Sequence, residues 1–321
     1  MTALVAGIGY IGSKVAEDLL TAGESVIGVD NFFATDRQVI ANLAAKGDFD
    51  FVEGSVTSRR TIERCLRGRR VSTIYWLAAQ ASAHPDAATP RYTETTNLLA
   101  PRLMLDAARE FGIRTVVLAS SLRVYGPYLT GHVDESSQYG VFTDLAHLSQ
   151  CYVEKLAEMY ASLHRLRCLA VRLGVAYGIG PLVKRDYRFM TVPNKFCLQA
   201  ARGEDLVVSA TGARPIGFIH VADAAQAMLM ADRCWTFDGF AALNAATEVA
   251  SPLGIAAMVK AEARNAGRDV SVVATCAESA QPEEAVLSSR LDGIGFKGAH
   301  RLEPTVKEML QYFAATEETR H

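Results

Sequence analysis

Three glycines, Gly7, Gly9 and Gly12, and one carboxylate, Asp30, are the residues whose type and spacing first suggest chemistry. The run Gly7-Ile-Gly9-Tyr-Ile-Gly12 has the spacing G-x-G-x-x-G. Gly7 permits a tight turn, Gly9 lets backbone approach a pyrophosphate, and Gly12 lets a helix pack closely on a strand. A helix opening here points free N–H groups and a partial positive charge at the phosphates. Asp30 follows about 20 residues on, where a carboxylate is needed to hold the adenosine ribose hydroxyls. Its charge repels a 2′-phosphate, so the expected cofactor is NAD rather than NADP. The competing reading is a tight turn followed by an acid at a loop. Strand, glycines, helix, strand and acid in register favour the nucleotide.

The elements that must position these residues follow from the hydrophobic pattern. Ala3–Ala6 reads as a buried parallel strand, and a helix opens at Ile11 with Val15, Leu19 and Leu20 on one face and Gly23 to end it. Further strands are expected at 25–30, 49–54, 72–79, 115–121 and 168–173. Asn31-Phe-Phe-Ala-Thr-Asp36 is a loop whose aromatic residues could flank an adenine. Helical patterns run through Ile62 and Leu66, from 91 to 111 with an interruption at Pro101, and from 143 to 163. Strands alternating with helices at this spacing give a Rossmann-like, doubly wound parallel sheet, which binds ligands beyond the carboxyl ends of its strands. The expected division is a nucleotide-binding domain over 1–178, with return segments near 216–232 and 241–247, and a smaller mixed α/β lobe over 179–321.

Bulk properties exclude several classes. A net charge of −2 leaves no basic excess for nucleic acid or a membrane surface. No apolar run approaches the length of a membrane span, and no charged leader precedes the first strand. The six cysteines, Cys65, Cys151, Cys168, Cys197, Cys234 and Cys276, are scattered without a C-x-x-C or a nearby histidine cluster. They read as thiols in a reducing compartment and not as a metal site, so no metal is expected and the location read is the cytoplasm.

By the fourth strand the chain resembles an extended short-chain dehydrogenase/reductase of the NAD-dependent sugar-nucleotide epimerase/dehydratase kind. The matching pieces are GIGYIG at Gly7–Gly12, VDN at Val29–Asn31, FVEGSV at Phe51–Val56, YWLAAQAS at Tyr75–Ser82 and Asn97. They continue with ASSLRVYG at Ala119–Gly126, VRLGVAYGIGP at Val171–Pro181, FIHVADAA at Phe218–Ala225, LNAAT at Leu243–Thr247 and IGF at Ile294–Phe296. The resemblance implies cofactor contacts from Gly7, Gly9, Tyr10, Ile11, Gly12, Asp30, Asn31, Val56, Leu77, Ala78, Ala79, Gln80, Asn97 and Gln150. It also implies a substrate side formed by Ser82, His84, Ser121, Arg123, Val175 and Arg214, with Ser121 bonding the reacting hydroxyl. The substrate it implies is a small molecule, a nucleotide sugar or a related polyhydroxylated metabolite. The patterns at 91–111 and 149–163 resemble the helices through which such proteins form homodimers.

In that family a tyrosine removes the hydroxyl proton, and a lysine four residues later holds the nicotinamide ribose and lowers the tyrosine pKa. The ungapped match to that helix is Ala146-His-Leu-Ser149-Gln150, which puts Ala146 at the tyrosine and Gln150 at the lysine. Sliding the helix to rescue a tyrosine would turn its buried face outward, since neighbours differ by about 100°. Alanine cannot move a proton, and an uncharged amide cannot depress a neighbour's pKa. Loss of a positioned base costs about 10²–10⁴ in rate. Other departures are Ser55 for an acid near adenine, the closer first glycines and Val175 for an asparagine. Leu122-Arg123 stands where 4,6-dehydratases carry Asp-Glu, and Arg214-Pro-Ile-Gly217 displaces a phosphate-gripping arginine.

Replacement acids or bases are sought in Tyr139 and His84, ahead of His147, Cys151, Asp144, Tyr128 and Glu135. The blander readings are a core face for His147 and Cys151, an N-cap for Asp144 and a turn for His84-Pro85-Asp86. His220 is read as a satisfied core histidine. Three functions stay open: an NAD enzyme with a rebuilt proton relay, an inactive NAD-binding sensor or partner subunit, and a non-redox lyase or isomerase with structural NAD.

Overall fold

The computed structural model describes every residue except 83, 85, 210, 276–284 and 319–321; Pro85 and Cys276 therefore lie outside the described residues. In chain order the first half comprises β1 (Thr2–Ala6), α1 (Tyr10–Thr21), β2 (Ser25–Asp30), α2 (Gln38–Ala44), β3 (Phe49–Glu53), α3 (Arg59–Leu66) and β4 (Val71–Trp76). It continues with α4 (Pro90–Glu94), α5 (Ala100–Glu110), β5 (Thr115–Ser121), β6 (Gly131–Val133), α6 (Leu145–His164) and β7 (Arg167–Leu173). The second half holds β8 (Val175–Tyr177), α7 (Val192–Ala201), β9 (Leu206–Val208), β10 (Ile216–His220), α8 (Val221–Cys234) and β11 (Phe240–Ala245). Then come β12 (Glu248–Ala250), α9 (Pro252–Asn265), β13 (Val272–Ala274), β14 (Ala285–Leu287) and α10 (Leu302–Glu318).

Among the described residues seven strands form one parallel sheet in the order β11-β7-β5-β4-β1-β2-β3. The strands are continuous apolar runs because both faces are covered. Helices α1 and α8 bury Val15, Leu19, Ala224 and Met228 against one face. Helices α3, α5 and α6 bury Ile62, Met104, Leu105, Leu156 and Tyr160 against the other. Register aligns the carboxyl ends: Ala6 pairs with both Val29 and Trp76, and Leu173 with both Ser121 and Ala245. The first turn, Asp30, the end of β4 and Ser121 thus open along one edge, the order reversing beside β1 as such sites require.

The chain leaves this sheet after β7 and returns to it through α8 and β11. Outside it, β12-β10-β8 form a small sheet, and Phe218 of β10 packs with Phe196 of α7, Ile255 and Val259 of α9, and Met309 and Phe313 of α10 into a separate core.

Two expectations need correction. The fourth strand ends at Trp76 instead of Ala79, because Leu77–Gln80 turn away to meet the first glycine loop. The helical stretch around Pro101 does not break. A π-helical turn at Thr95–Leu99 joins α4 to α5, and the Ala100 N–H reaches the Thr95 carbonyl. Pro101 then enters at the start of α5, where its missing N–H costs little.

Candidate active site

The cofactor half is built by packing. Gly7 leaves β1 at φ 93°, and its N–H donates to the Val29 carbonyl at 2.8 Å. A Cβ there would lie 2.6 Å from the Ala78 nitrogen, and one on Gly12 would lie 1.8 Å from the Gly7 carbonyl oxygen. Gly9 differs: a Cβ on it meets nothing within 4 Å. Helix α1 has no side-chain cap and no acid in its first turn, so its leading N–H groups are left for an outside acceptor. Asp30 ends β2 beside this turn. Its carboxylate accepts from Phe32 N at 2.8 Å and Thr35 Oγ1 at 3.2 Å, and burial raises its pKa despite those bonds. These features fit a dinucleotide: an open approach at one glycine, an uncapped helix start and a carboxylate at the end of the neighbouring strand.

Other expected cofactor contacts are placed differently. Asn31 is exposed, and its side chain accepts from Phe33 N at 3.1 Å. Ile11, Leu77 and Ala78 are half-buried and Ala79 is exposed along the same edge. Tyr10 turns its hydroxyl away from the turn, donating to the Gly178 carbonyl at 2.5 Å and accepting from Asn194 Nδ2 at 3.2 Å. It ties the first loop to the second half of the chain. Asn194, in the first turn of α7, was not singled out from the sequence; nothing in its local pattern reports a partner 184 residues away. Val56 packs in the core beside Val29 and Val52. Asn97 is 2% exposed and bonds both backbone groups of Gln80, at 2.7 and 2.9 Å, and Ser149 Oγ at 3.0 Å. Gln80 donates to the Ser82 carbonyl and accepts from Thr93. Asn97 and Gln80 are therefore pins that hold the end of β4 to α6, their polar atoms already engaged.

The aromatic loop also departs from expectation. Phe32 packs on Phe51 with the Arg37 guanidinium 4.0 Å over its ring, and Phe33 packs on Tyr92 and Phe189. Phe189 belongs to the segment after β8 that also carries Lys184, whose pKa burial lowers while Asp30 partly restores it.

On the chemical side, Ser121 ends β5, and its hydroxyl accepts from Arg123 N at 3.2 Å. Ser121, Arg123, Tyr128 and Val175 line one narrow pocket with Gly174 and Gly217. Arg214 does not line that pocket; its guanidinium lies 4.8 Å from the ring of Tyr128, which does. Ala146 and Gln150 lie one turn apart at the start of α6, both half-buried. Their register is fixed by Asp144, which caps the helix by accepting from His147 N at 2.8 Å, and by the Ser149–Asn97 bond.

The proposed substitute bases fare unequally. Tyr139 donates to Glu154 Oε2 at 3.0 Å, and burial together with that carboxylate raises its pKa, which does not suit a base. Glu154, 1% exposed, pairs at 2.7 Å with Arg172, 4% exposed, and Ser120 and Tyr125 complete the network. Glu135 accepts from Asn244 N and Arg290 N, a structural role. His84 is exposed on the loop after β4, accepting from Asp86 N at 3.3 Å; its neighbour Ser82 donates to the Arg188 carbonyl. Cys151 is buried and its thiol is pushed up to about 12 by burial, then by Glu154. His147 is no passive core residue. Its Nδ1 meets Asp144, and its Nε2 accepts from Arg123 Nε at 3.3 Å. Burial lowers its pKa, Asp144 opposes and Arg123 adds to the lowering. His220 is buried, as the sequence suggested, but it caps α8 through Ala222 N and stacks on His300 at 3.9 Å. Among the described residues no His, Cys, Asp and Glu group could hold a metal, and no helix is long and apolar enough to cross a membrane.

Comparison with known proteins fits this layout. The chain is 28% identical over 227 residues to UDP-glucuronic acid decarboxylase 1 of Arabidopsis thaliana, covering 70% of this chain and 49% of that one. It is 26% identical over 229 residues to UDP-N-acetyl-alpha-D-glucosaminuronate decarboxylase of Bacillus cytotoxicus, covering 71% and 70%. The chain spans about half the length of the first of these relatives. Its fold matches UDP-glucose 4-epimerase of Thermotoga maritima with a TM-score of 0.85 at 22% identity, covering 99% of this chain and all of the other. UDP-glucuronic acid 4-epimerase of Bacillus cereus, solved with NAD, gives 0.82 at 18%, covering 98% and 99%. The model of the NAD dependent epimerase/dehydratase family matches residues 3–234, and the chain belongs to that family.

Proposed function

We propose that this protein binds NAD in the Gly7–Gly12 turn and acts on a nucleotide sugar by a proton relay other than the family's tyrosine and lysine. The observation that carries the reading is the open cofactor cradle at Gly9 and Asp30 on the same sheet edge as Ser121 and its pocket. Bound NAD supplies a reversible hydride acceptor. Within the chain, Asp30 holds the adenosine ribose, the first turn of α1 takes the phosphates, Gln150 hydrogen-bonds the nicotinamide ribose, and Ser121 orients the substrate hydroxyl. Gln150 suits this task because no hydrogen bond among the described residues occupies its amide. The relatives named above are UDP-sugar decarboxylases and epimerases, which supports a UDP-sugar.

The test is incubation with NAD and a panel of UDP-sugars, with calorimetry of NAD binding alongside. Turnover that Ser121→Ala abolishes is expected. Absence of turnover, or turnover indifferent to Ser121, counts against the reading. A second reading, a non-catalytic NAD sensor or partner subunit, is favoured by Ala146 and Gln150, which together remove the usual chemistry. It expects NAD binding that Asp30→Arg abolishes and no turnover of any sugar. The third reading, a lyase or isomerase with structural NAD, gains no specific support from the site.

We also propose a homodimer through α5 and α6. Leu148, Tyr152, Met159 and Leu163 lie exposed along α6, and Leu99 and Phe111 lie exposed at the two ends of α5, apolar surface unusual for a free helix.

A further inference from the structure

Arg123 is the charged side chain in the wall of the pocket beside Ser121. Two of its guanidinium nitrogens are engaged: Nε donates to His147 Nε2 at 3.3 Å and Nη1 donates to the Pro127 carbonyl. Among the described residues no hydrogen bond reaches Nη2, and no carboxylate lies within ion-pair distance. The nearest acid, Asp144, stands behind His147 and spends both oxygens on it. Burial accordingly lowers the Arg123 pKa, and Asp144 offsets this only through space. A half-buried cation without a counter-ion is costly unless an anion joins it. The remaining guanidinium edge is a planar fork suited to a carboxylate. The pocket presents no acid of its own to compete.

The position of this charge decides which anion it meets. Arg123 lies two residues beyond Ser121 and its backbone N–H bonds the Ser121 hydroxyl, so its side chain belongs to the sugar end of the site. We propose that Arg123 binds a carboxylate on the substrate's sugar ring, so that the protein selects a nucleotide-linked uronic acid over the corresponding neutral sugar. His147, backed by Asp144, is a positioning residue that fixes the guanidinium plane. The proposal rests on the nucleotide-sugar reading given above.

Binding by calorimetry tests it, using the full chain with NAD present and UDP-glucuronic acid, its neutral amide, UDP-glucose and UDP as probes. A charge-assisted bond is worth about 1.5–3 kcal/mol, which is roughly 10–100-fold in affinity. Wild-type protein should prefer UDP-glucuronic acid over both neutral sugars by that factor, a comparison that needs no variant. Arg123→Gln should collapse the preference to about one, with Arg123→Lys intermediate because it keeps charge but not the fork. His147→Gln, whose amide oxygen still accepts from Nε, should keep the preference, and His147→Leu should lose it. Equal wild-type affinity for acid and neutral sugars overturns the proposal while leaving the nucleotide-sugar reading standing. Equal weakening of all four probes by Arg123→Gln also overturns it, since the guanidinium would then serve the diphosphate. Binding of none of the probes overturns both readings.

Discussion

Under the proposed reading, a tyrosine at residue 146 with a lysine at residue 150 should accelerate turnover, and the structure sets how much. Ala146 and Gln150 are one turn apart on one face of α6, about 6 Å along its axis. Asp144 at the cap and Ser149 on Asn97 hold the register, so Ala146→Tyr with Gln150→Lys puts a phenol and an ammonium one turn apart on this face, where the proposed assignment needs them. The local cost is small: Ala to Tyr in a helix costs roughly 0.5 kcal/mol, and Gln to Lys almost nothing. Neither Tyr139 nor His147 is free to act as that base. Tyr139 is committed to Glu154, and the lone pair of His147 Nε2 is taken by Arg123. A base positioned at residue 146 should therefore add up to about 10²–10⁴ in rate, or up to roughly 5 kcal/mol of barrier, over the proposed substitute relay. Gln150→Lys alone should add nothing, because no phenol is present to activate. Ala146→Tyr alone should add only part, because its phenol keeps a pKa near about 10. The assay is single turnover of NAD-loaded protein with a panel of UDP-sugars, followed by nicotinamide fluorescence, with NAD affinity and unfolding measured in parallel. A double variant that folds, binds NAD like the wild type and turns over no faster would refute the assignment of residues 146 and 150.

Four other outcomes follow from buried groups and exposed faces. Glu154→Ala leaves Arg172 charged and unpaired in the core and should cost about 3–5 kcal/mol in urea unfolding. Tyr139→Phe should cost only about 1 kcal/mol and leave turnover intact, which separates a structural tyrosine from a catalytic one. His220 is held to about 4, below its ordinary 6.5, by burial first and then by His300. Its neutral form is thus favoured in the folded state, and stability is lost as pH falls from about 6.5 to about 4, by roughly 3 kcal/mol in all. His220→Asn keeps a cap acceptor for α8 and should flatten that part of the urea-against-pH curve; an unchanged slope would assign the loss to other groups. Leu163→Glu on the exposed face of α6 should convert a dimer to monomer in sedimentation, and a wild-type monomer would remove the dimer proposal outright.

Much of the fold was legible because it rests on local pattern. Apolar runs, glycine turns and the spacing of Asp30 are written within short windows, and the parallel sheet follows from their alternation. The local geometry of the candidate site was legible where a residue's surroundings are contiguous with it, as for the turn at Gly7 and Gly12 and the strand end at Ser121. It was illegible where polar atoms find partners far along the chain. Tyr10 meets Gly178 and Asn194, Tyr139 meets Glu154, and Asn97 meets Gln80 and Ser149. Each of these reads in sequence as an available functional group. Hydrogen-bond satisfaction in the fold withdraws it, because a buried polar atom left unpaired costs about 1–3 kcal/mol. The Asp144–His147–Arg123 chain runs the other way. A cap residue and a histidine with a bland helical reading become, through a loop turned back on α6, the frame for a cation.

The glycine turn itself separates packing from binding, and a last pair of variants exploits this. Gly7 and Gly12 are required by the protein: a Cβ on either collides with backbone, 2.6 Å from Ala78 and 1.8 Å from Gly7. A family member that had lost its cofactor would still need both. Gly9 has no such reason, since its φ of −76° and ψ of −157° are open to other residues and its Cβ would meet no protein atom. Gly12→Ala should therefore destabilise the fold itself by several kcal/mol, with weak NAD binding as a consequence. Gly9→Ala should cost about 1 kcal/mol or less, the difference between glycine and alanine at an N-cap. Yet it should weaken NAD at least about tenfold, roughly 1.4 kcal/mol, by placing a methyl where the pyrophosphate approaches. Urea unfolding and calorimetry on the same samples separate the two effects. If Gly9→Ala binds NAD as tightly as the wild type, the motif is explained by packing alone, and the case for a dinucleotide at this turn falls back on Asp30.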